Sequence, residues 1–279
     1  MNEDLVAGFH NLEHAPSWCD IAGAVQHAAR RSQVAASPIR ICAFGRFSLA
    51  LNGTPLCFAH KLPKKPITLL KALIALGGRE VAGHRLTDAL WPNEEGDAAH
   101  DVLAVNLHRL RRLLGDPDSV TLHDGRVSLD PDRCWVDIWA FQRLVGEAAG
   151  ASEAERPALL ERALALYRGT FLACDQDEPW TLSMRERLRA KFIRHCTELG
   201  RLREESGQWE EAIACYQRDL ETDELAETFY QGLMRCYRNL DRRVEGISVY
   251  RRLRDTLSVI LGIAVSPTSE ELLRQLLSL

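Results

Sequence analysis

The chain has 279 residues, 46% of them hydrophobic and 27% charged, the make-up of an ordinary globular protein long enough for two domains that each bury a core. With 35 Lys+Arg against 39 Asp+Glu the net charge is −4, which excludes a uniformly basic coat and requires any nucleic-acid surface to be local. No run approaches the roughly 18 apolar residues of a membrane span, and Glu3 and Asp4 stand where a secretory leader would carry lysines, so a cytoplasmic protein without membrane contact is expected.

Residues 1–37 are Ala-rich, with an amphipathic pattern from Ser17 to Ser32 and a loose join at Val34–Pro38; they are read as an N-terminal extension or linker. From Ile39 the pattern is extended. Ile39–Ile41, Phe47–Leu51 and Leu56–Phe58 read as short strands, the last two joined by an Asn52-Gly53 turn. Pro66 opens a helix that Gly77-Gly78 closes, and a second runs from His84 to Trp91, ended by Pro92.

The third helix, between Asp97 and Gly115, has two unlike faces. Leu103, Leu107, Leu110 and Leu114 recur on one stripe, while Asp101, His108, Arg109 and Arg112 occupy the other side. A hairpin follows over Val120–Leu129, turned by Asp124-Gly125. A helix that buries leucines and shows arginines, followed by a short basic ribbon, suits the major groove of a duplex, with the ribbon lying beside it. The order of sheet, three helices and hairpin is that of a winged helix.

Beyond Asp137 every segment is helical. Glu211-Ala212-Ile213-x-x-Tyr216 returns 34 residues later as Glu245-Gly246-Ile247-x-x-Tyr250, the tetratricopeptide period. An earlier copy, Glu161-Arg162-Ala163-Leu164-Ala165-Leu166-Tyr167, predicts three helical hairpins, the first interrupted between Gly169 and Trp180. Tyr167, Tyr216 and Tyr250 are expected to pack between helices. The eight cysteines stand singly, without Cys-x-x-Cys, and read as reduced thiols. His10, His14, His27, His60, His84, His100 and His195 form no ligand array, and neither a nucleophile elbow nor a Gly-rich phosphate loop is present. No metal, no cofactor and no catalysis are expected.

Leu62-Pro63-x-Lys65 leading into Leu69-Leu70-x-Ala72-Leu73, then Leu86-x-x-Ala89-Leu90-Trp91, then Leu107-x-Arg109-Leu110-Arg111-x-Leu113-Leu114-Gly115, resembles the DNA-binding half of the Streptomyces antibiotic regulatory proteins. Asp137 to Leu279, with Leu253-x-x-x-Leu257, Leu261-Gly262-Ile263 and Ser266-Pro267, resembles the bacterial transcriptional activator domain that follows it in that family. The resemblance implies an OmpR-type winged helix that binds direct-repeat promoter sites as a side-by-side homodimer and recruits RNA polymerase. It also aligns Asn106, His108, Arg109 and Arg112 with positions that touch phosphates or base edges, and places the acidic loop Pro92–Asp97, with Glu94 and Glu95, where related proteins touch polymerase. The chain departs from the family in that acidic loop, in residues 1–37, and in a shorter wing that lacks Gly-Tyr and offers His123 and Arg126 instead.

Read from the residues alone, His108 and Arg112 point opposite the leucine stripe, whereas Asn106 lies toward its flank and Arg111 nearer the buried side, where an intramolecular ion pair is the alternative to DNA. Lys61, Lys64 and Lys65 precede the first helix, whose N-terminal N–H groups attract a phosphate. The expected architecture is mainly α with a small β component. It comprises an extension (1–37), a winged helix-turn-helix domain (38–136) able to bind DNA as a fragment, and an all-α tetratricopeptide-like domain (137–279). The expected function is a sequence-specific transcriptional activator; the alternative is a protein-interaction scaffold whose winged helix no longer binds DNA.

Overall fold

A computed structural model describes residues 37–56, 64–94 and 96–278. The helical pattern at Ser17–Ser32, the lysine at 61 and Glu95 lie outside the described residues. The N-terminal half opens with β1 (Ile39–Cys42), β2 (Ser48–Leu51) and β3 (Thr54–Pro55). Ile39 and Ile41 of β1 are buried while Arg40 faces outward, as alternation demands. Asn52 and Gly53 both take positive φ, which gives the tight turn between β2 and β3 a twist matching its strands.

Helix α1 (Lys64–Ala75) begins before Pro66, so Lys64 and Lys65 are exposed members of its first turn rather than a preceding loop. A first-turn N–H has no intrahelical partner, so proline is tolerated inside that turn as readily as at its start. Strand β4 (Val81–Ala82) and α2 (Gly83–Leu90) lead to α3 (Gly96–Leu114). The wing follows as β5 (Val120–His123) and β6 (Arg126–Leu129), turned by Asp124 and Gly125 at positive φ. β4 pairs with β6 to make a three-stranded wing sheet, and β7 (Cys134–Val136) returns to lie parallel to β1 at the edge of the first sheet.

Seven helices complete the chain: α4 (Asp137–Gly150), α5 (Arg156–Leu164), α6 (Leu182–Glu205), α7 (Trp209–Thr222), α8 (Glu227–Asn239), α9 (Arg243–Leu261) and α10 (Pro267–Leu277). The first six pair in sequence as three hairpins. The repeat residues sit where helices approach most closely. A Cβ on Gly200 or Gly232 would lie 2.2 or 2.4 Å from the ring of Tyr216, so two glycines admit that ring between α6 and α8. Its hydroxyl donates to Glu204 at 2.7 Å, and Arg235 donates to both oxygens of the same carboxylate at 2.8 and 2.9 Å. Tyr167 stacks on Phe192 at 4.1 Å between ring centroids. The tyrosines are packing residues with polar tips.

The interruption after α5 has a structural role that the repeat spacing does not disclose. Residues 170–173 run back to the first sheet: the Gly45 N–H donates to the Thr170 carbonyl at 3.0 Å, and Leu172 and Ala173 N–H groups donate to Ala43 and Gly45, both at 2.9 Å. Lys71 of α1 pairs with Asp175 at 2.7 Å. From the other side, the buried Asp137 carboxylate accepts the Ala43 and Phe44 N–H groups at 2.9 and 3.0 Å. Phe44, Phe141, Tyr167 and Phe192 form a chain of ring contacts across the junction, so one hydrophobic core spans both halves. No described helix is long and apolar enough to cross a membrane.

Candidate nucleic-acid interface

Helix α3 is anchored by its leucines. Leu103, Leu107, Leu110 and Leu114 are each no more than 3% exposed, and burying a leucine contributes about 1.5–3 kcal/mol. Asp97 in its first turn and Arg111 and Arg112 in its last suit the helix dipole. The outward face presents Asp101, Ala104, Val105, His108, Arg109 and Arg112 to solvent.

Asn106 is not on that face. It is 3% exposed, and its Nδ2 donates to the Val102 carbonyl at 2.8 Å, one turn back on the same helix. Its Oδ1 has no partner among the described residues. The expectation that Asn106 contacts DNA is corrected: on a helical wheel it flanks the leucine stripe, and the core closes over it. Arg111 is half-buried, and its Nε donates to the Val120 carbonyl at 2.7 Å. It therefore holds the wing to α3 through a carbonyl instead of an ion pair.

The wing is fixed beside α3 at two points. Arg111 grips the start of β5. At the turn, the Gly83 N–H donates to the Gly125 carbonyl at 2.8 Å, and a Cβ on Gly83 would lie 3.1 Å from Leu103 of α3 and 3.2 Å from that same carbonyl. Glycine fits the start of α2 closely between α3 and the wing turn; a larger residue would require Leu103 or the turn to shift by a few tenths of an ångström. At the tip His123 and Asp124 are more than 80% exposed and 3.2 Å apart. Arg126 is exposed but donates to the Glu80 carbonyl at 3.0 Å, so part of its donor fork is already used. Glu94 is exposed in the turn after α2, its N–H donating to the Trp91 carbonyl at 3.0 Å.

The structure thus brings His108, Arg109 and Arg112 together on one face, with the wing bearing His123 and Arg126 alongside. Lys64 and Lys65 are exposed on α1. Sequence reasoning missed two further groups. Val105, 48% exposed, lies directly opposite the leucine stripe among Asp101, His108 and Arg112, and the helical wheel that identified those neighbours also identifies it. His84 and Arg85 are exposed in the first turn of α2, immediately after the glycine that touches the wing.

Residues 136–277, half of the chain, match the family described as the bacterial transcriptional activator domain. The regulatory protein AfsR of Streptomyces griseus is 26% identical over 213 residues, which are 75% of this chain and 22% of that protein. The transcriptional regulatory protein EmbR of Mycobacterium tuberculosis is 27% identical over 257 residues, 83% of this chain and 62% of that one. A solved structure of Mycobacterium tuberculosis EmbR in complex with a low affinity phosphopeptide shares the fold, with a TM-score of 0.67 and 23% identity over 86% of this chain and 65% of the other. The chain therefore spans under two thirds of these longer relatives. On its matched helical half and its likeness to these regulators, the chain belongs to the bacterial transcriptional activator domain family, in the manner of the Streptomyces antibiotic regulatory proteins.

Proposed function

We propose that this protein is a sequence-specific DNA-binding transcriptional activator. The observation that carries the reading is the outward face of α3, where two arginines and a histidine stand clear of a helix anchored by four buried leucines, with a hairpin pinned beside it. Arg109 and Arg112 suit guanine O6 and N7, Asp101 suits the amino group of cytosine, and Val105 with Ala104 suits a thymine methyl. Lys64, Lys65, His84 and Arg85 position the duplex through phosphates, and His123 and Arg126 reach the backbone beside the wing.

The site is double-stranded promoter DNA with direct repeats, occupied by two copies side by side. RNA polymerase is the second partner, met by Glu94 and Glu95; carboxylates there repel phosphate and suit a basic protein surface. The test is a gel-shift titration over salt with the full chain. A groove reader loses affinity linearly in log salt as counterions leave the phosphates. A chain that binds no duplex at low salt would instead be a scaffold working through its helical repeats. Replacing Glu94 and Glu95 with alanine is expected to lower transcription several-fold with purified polymerase at unchanged operator affinity.

A further inference from the structure

Two residues on the outward face of α3 have no role in the fold. Val105 is 48% exposed opposite the buried leucines, so it adds nothing to the core, and a β-branched side chain slightly disfavours a helix. Asp101 is exposed one turn earlier, beyond the first turn where an acidic side chain gains from the helix dipole. The residues three and four places from it, Asp97, Ala98, Ala104 and Val105, offer no cation. Aspartate is also among the weaker helix formers.

The two side chains make chemical sense together against a base edge. If this face enters the major groove, the reading on which the present inference rests, phosphates repel the Asp101 carboxylate from both sides, and a base amino group is the donor that offsets the repulsion. Val105 suits the methyl at C5 of a pyrimidine. Side chains four places apart on a helix have Cβ atoms about 5–6 Å apart, so the group beside that methyl on the base faces Asp101. On thymine that group is O4, an acceptor, which a carboxylate repels; the amino group of the paired adenine lies beyond O4. On cytosine methylated at C5 it is the N4 amino group, a donor on the adjacent ring atom.

We infer that Asp101 and Val105 together read one C5-methylated cytosine, so that this protein binds its operator more tightly when that base is methylated. The carboxylate accepts from N4, and the isopropyl group covers the methyl. Ala104, exposed three places from Asp101, leaves room for the base edge to approach. Arg109, four places beyond Val105, suits the O6 and N7 of a neighbouring guanine.

The test uses the full chain and an operator selected from random duplexes synthesised with 5-methylcytosine in place of cytosine. Copies in which one 5-methylcytosine at a time reverts to cytosine are compared in gel-shift titrations. At one position of the recognised unit, loss of the methyl is expected to weaken binding about fourfold, the effect of one methyl-sized group withdrawn from water. Val105→Ala is expected to bring that ratio to about one. Asp101→Asn sets a donor beside the acceptor, and is expected to let a T·A pair at that position bind as well as the methylated C·G pair. Both residues are exposed, and thermal melts check that the variants fold. Copies with uracil for thymine, one at a time, give the contrast, since uracil lacks only the methyl. Operator binding that no single reversion weakens, or a loss on reversion that Val105→Ala retains, would overturn the inference while leaving DNA reading intact. So would a loss at one uracil that Val105→Ala removes, because Val105 would then be reading thymine. A chain that binds no duplex at low salt would remove DNA reading itself, and this inference with it.

Discussion

Arg112 and Asn106 share helix α3 but face opposite environments, and substitutions at the two should separate cleanly. Arg112→Ala is expected to cost roughly 1–3 kcal/mol of operator affinity and relax preference at one base pair, as the loss of a bidentate base contact does. Asn106→Leu is expected to leave operator affinity unchanged in a gel shift and to hold or raise the melting temperature, because it removes a buried oxygen that has no donor among the described residues. A second residue-scale consequence belongs to Asp137. Burial, opposed by N–H bonds from Phe44, Ala43 and Ile138, pushes its carboxyl from 3.8 up to about 6. The folded chain then holds this proton more tightly than the unfolded one. Its contribution to stability is fully present below pH 3.8, and up to about 3 kcal/mol of it is lost as pH rises through 6. Asp137→Asn lacks that titration, so the stability of the unaltered chain relative to the variant should fall between pH 4 and 6 in paired denaturant melts.

At the scale of elements, the repeat helices are set by residues that are small for a reason. Gly232→Ala would drive a methyl to 2.4 Å from the Tyr216 ring, and overpacking of this kind costs about 1–3 kcal/mol. The expected outcome is a melting temperature lowered by about 2–4 °C per kcal/mol, with recovery when Tyr216→Leu is added. Such features were readable where they are local. The leucine stripe of α3, the Asn52-Gly53 and Asp124-Gly125 turns and the recurring Ala/Gly and Tyr positions each declare themselves within one or two turns of chain. β4 and β7 did not, because strands of two and three residues carry no period and exist only through distant partners. Asn106 was misplaced because its position on the wheel borders both faces, and tertiary packing decides such a residue. Val105 is legible on the same wheel, where an apolar residue stands among the charged ones of the outward face.

At the scale of the whole molecule, the division at residue 136 marks a change of secondary structure while the core continues across it. A fragment of residues 38–136 keeps α3 but loses Asp137, the backbone bonds from residues 170–173 and the ring of Tyr167 against Phe44. The sequence suggests that such a fragment binds DNA alone. The shared core indicates instead that it melts at much lower temperature and less cooperatively than the full chain, which calorimetry measures directly, and that its DNA binding is limited by folding.

The segment at 170–175, bonded to residues 43–45 just after β1 and tied to Lys71, also bears on how two copies would meet on one duplex. A helical domain joined to its reading helix by a supple tether would tolerate any spacing between neighbouring sites. One joined through a common core acts as a rigid arm, and the separation of direct repeats becomes a matter of rotational phase. Inserting about five base pairs between them should turn the second copy to the opposite side of the helix and abolish joint occupancy, whereas about ten should restore the phase at a greater distance.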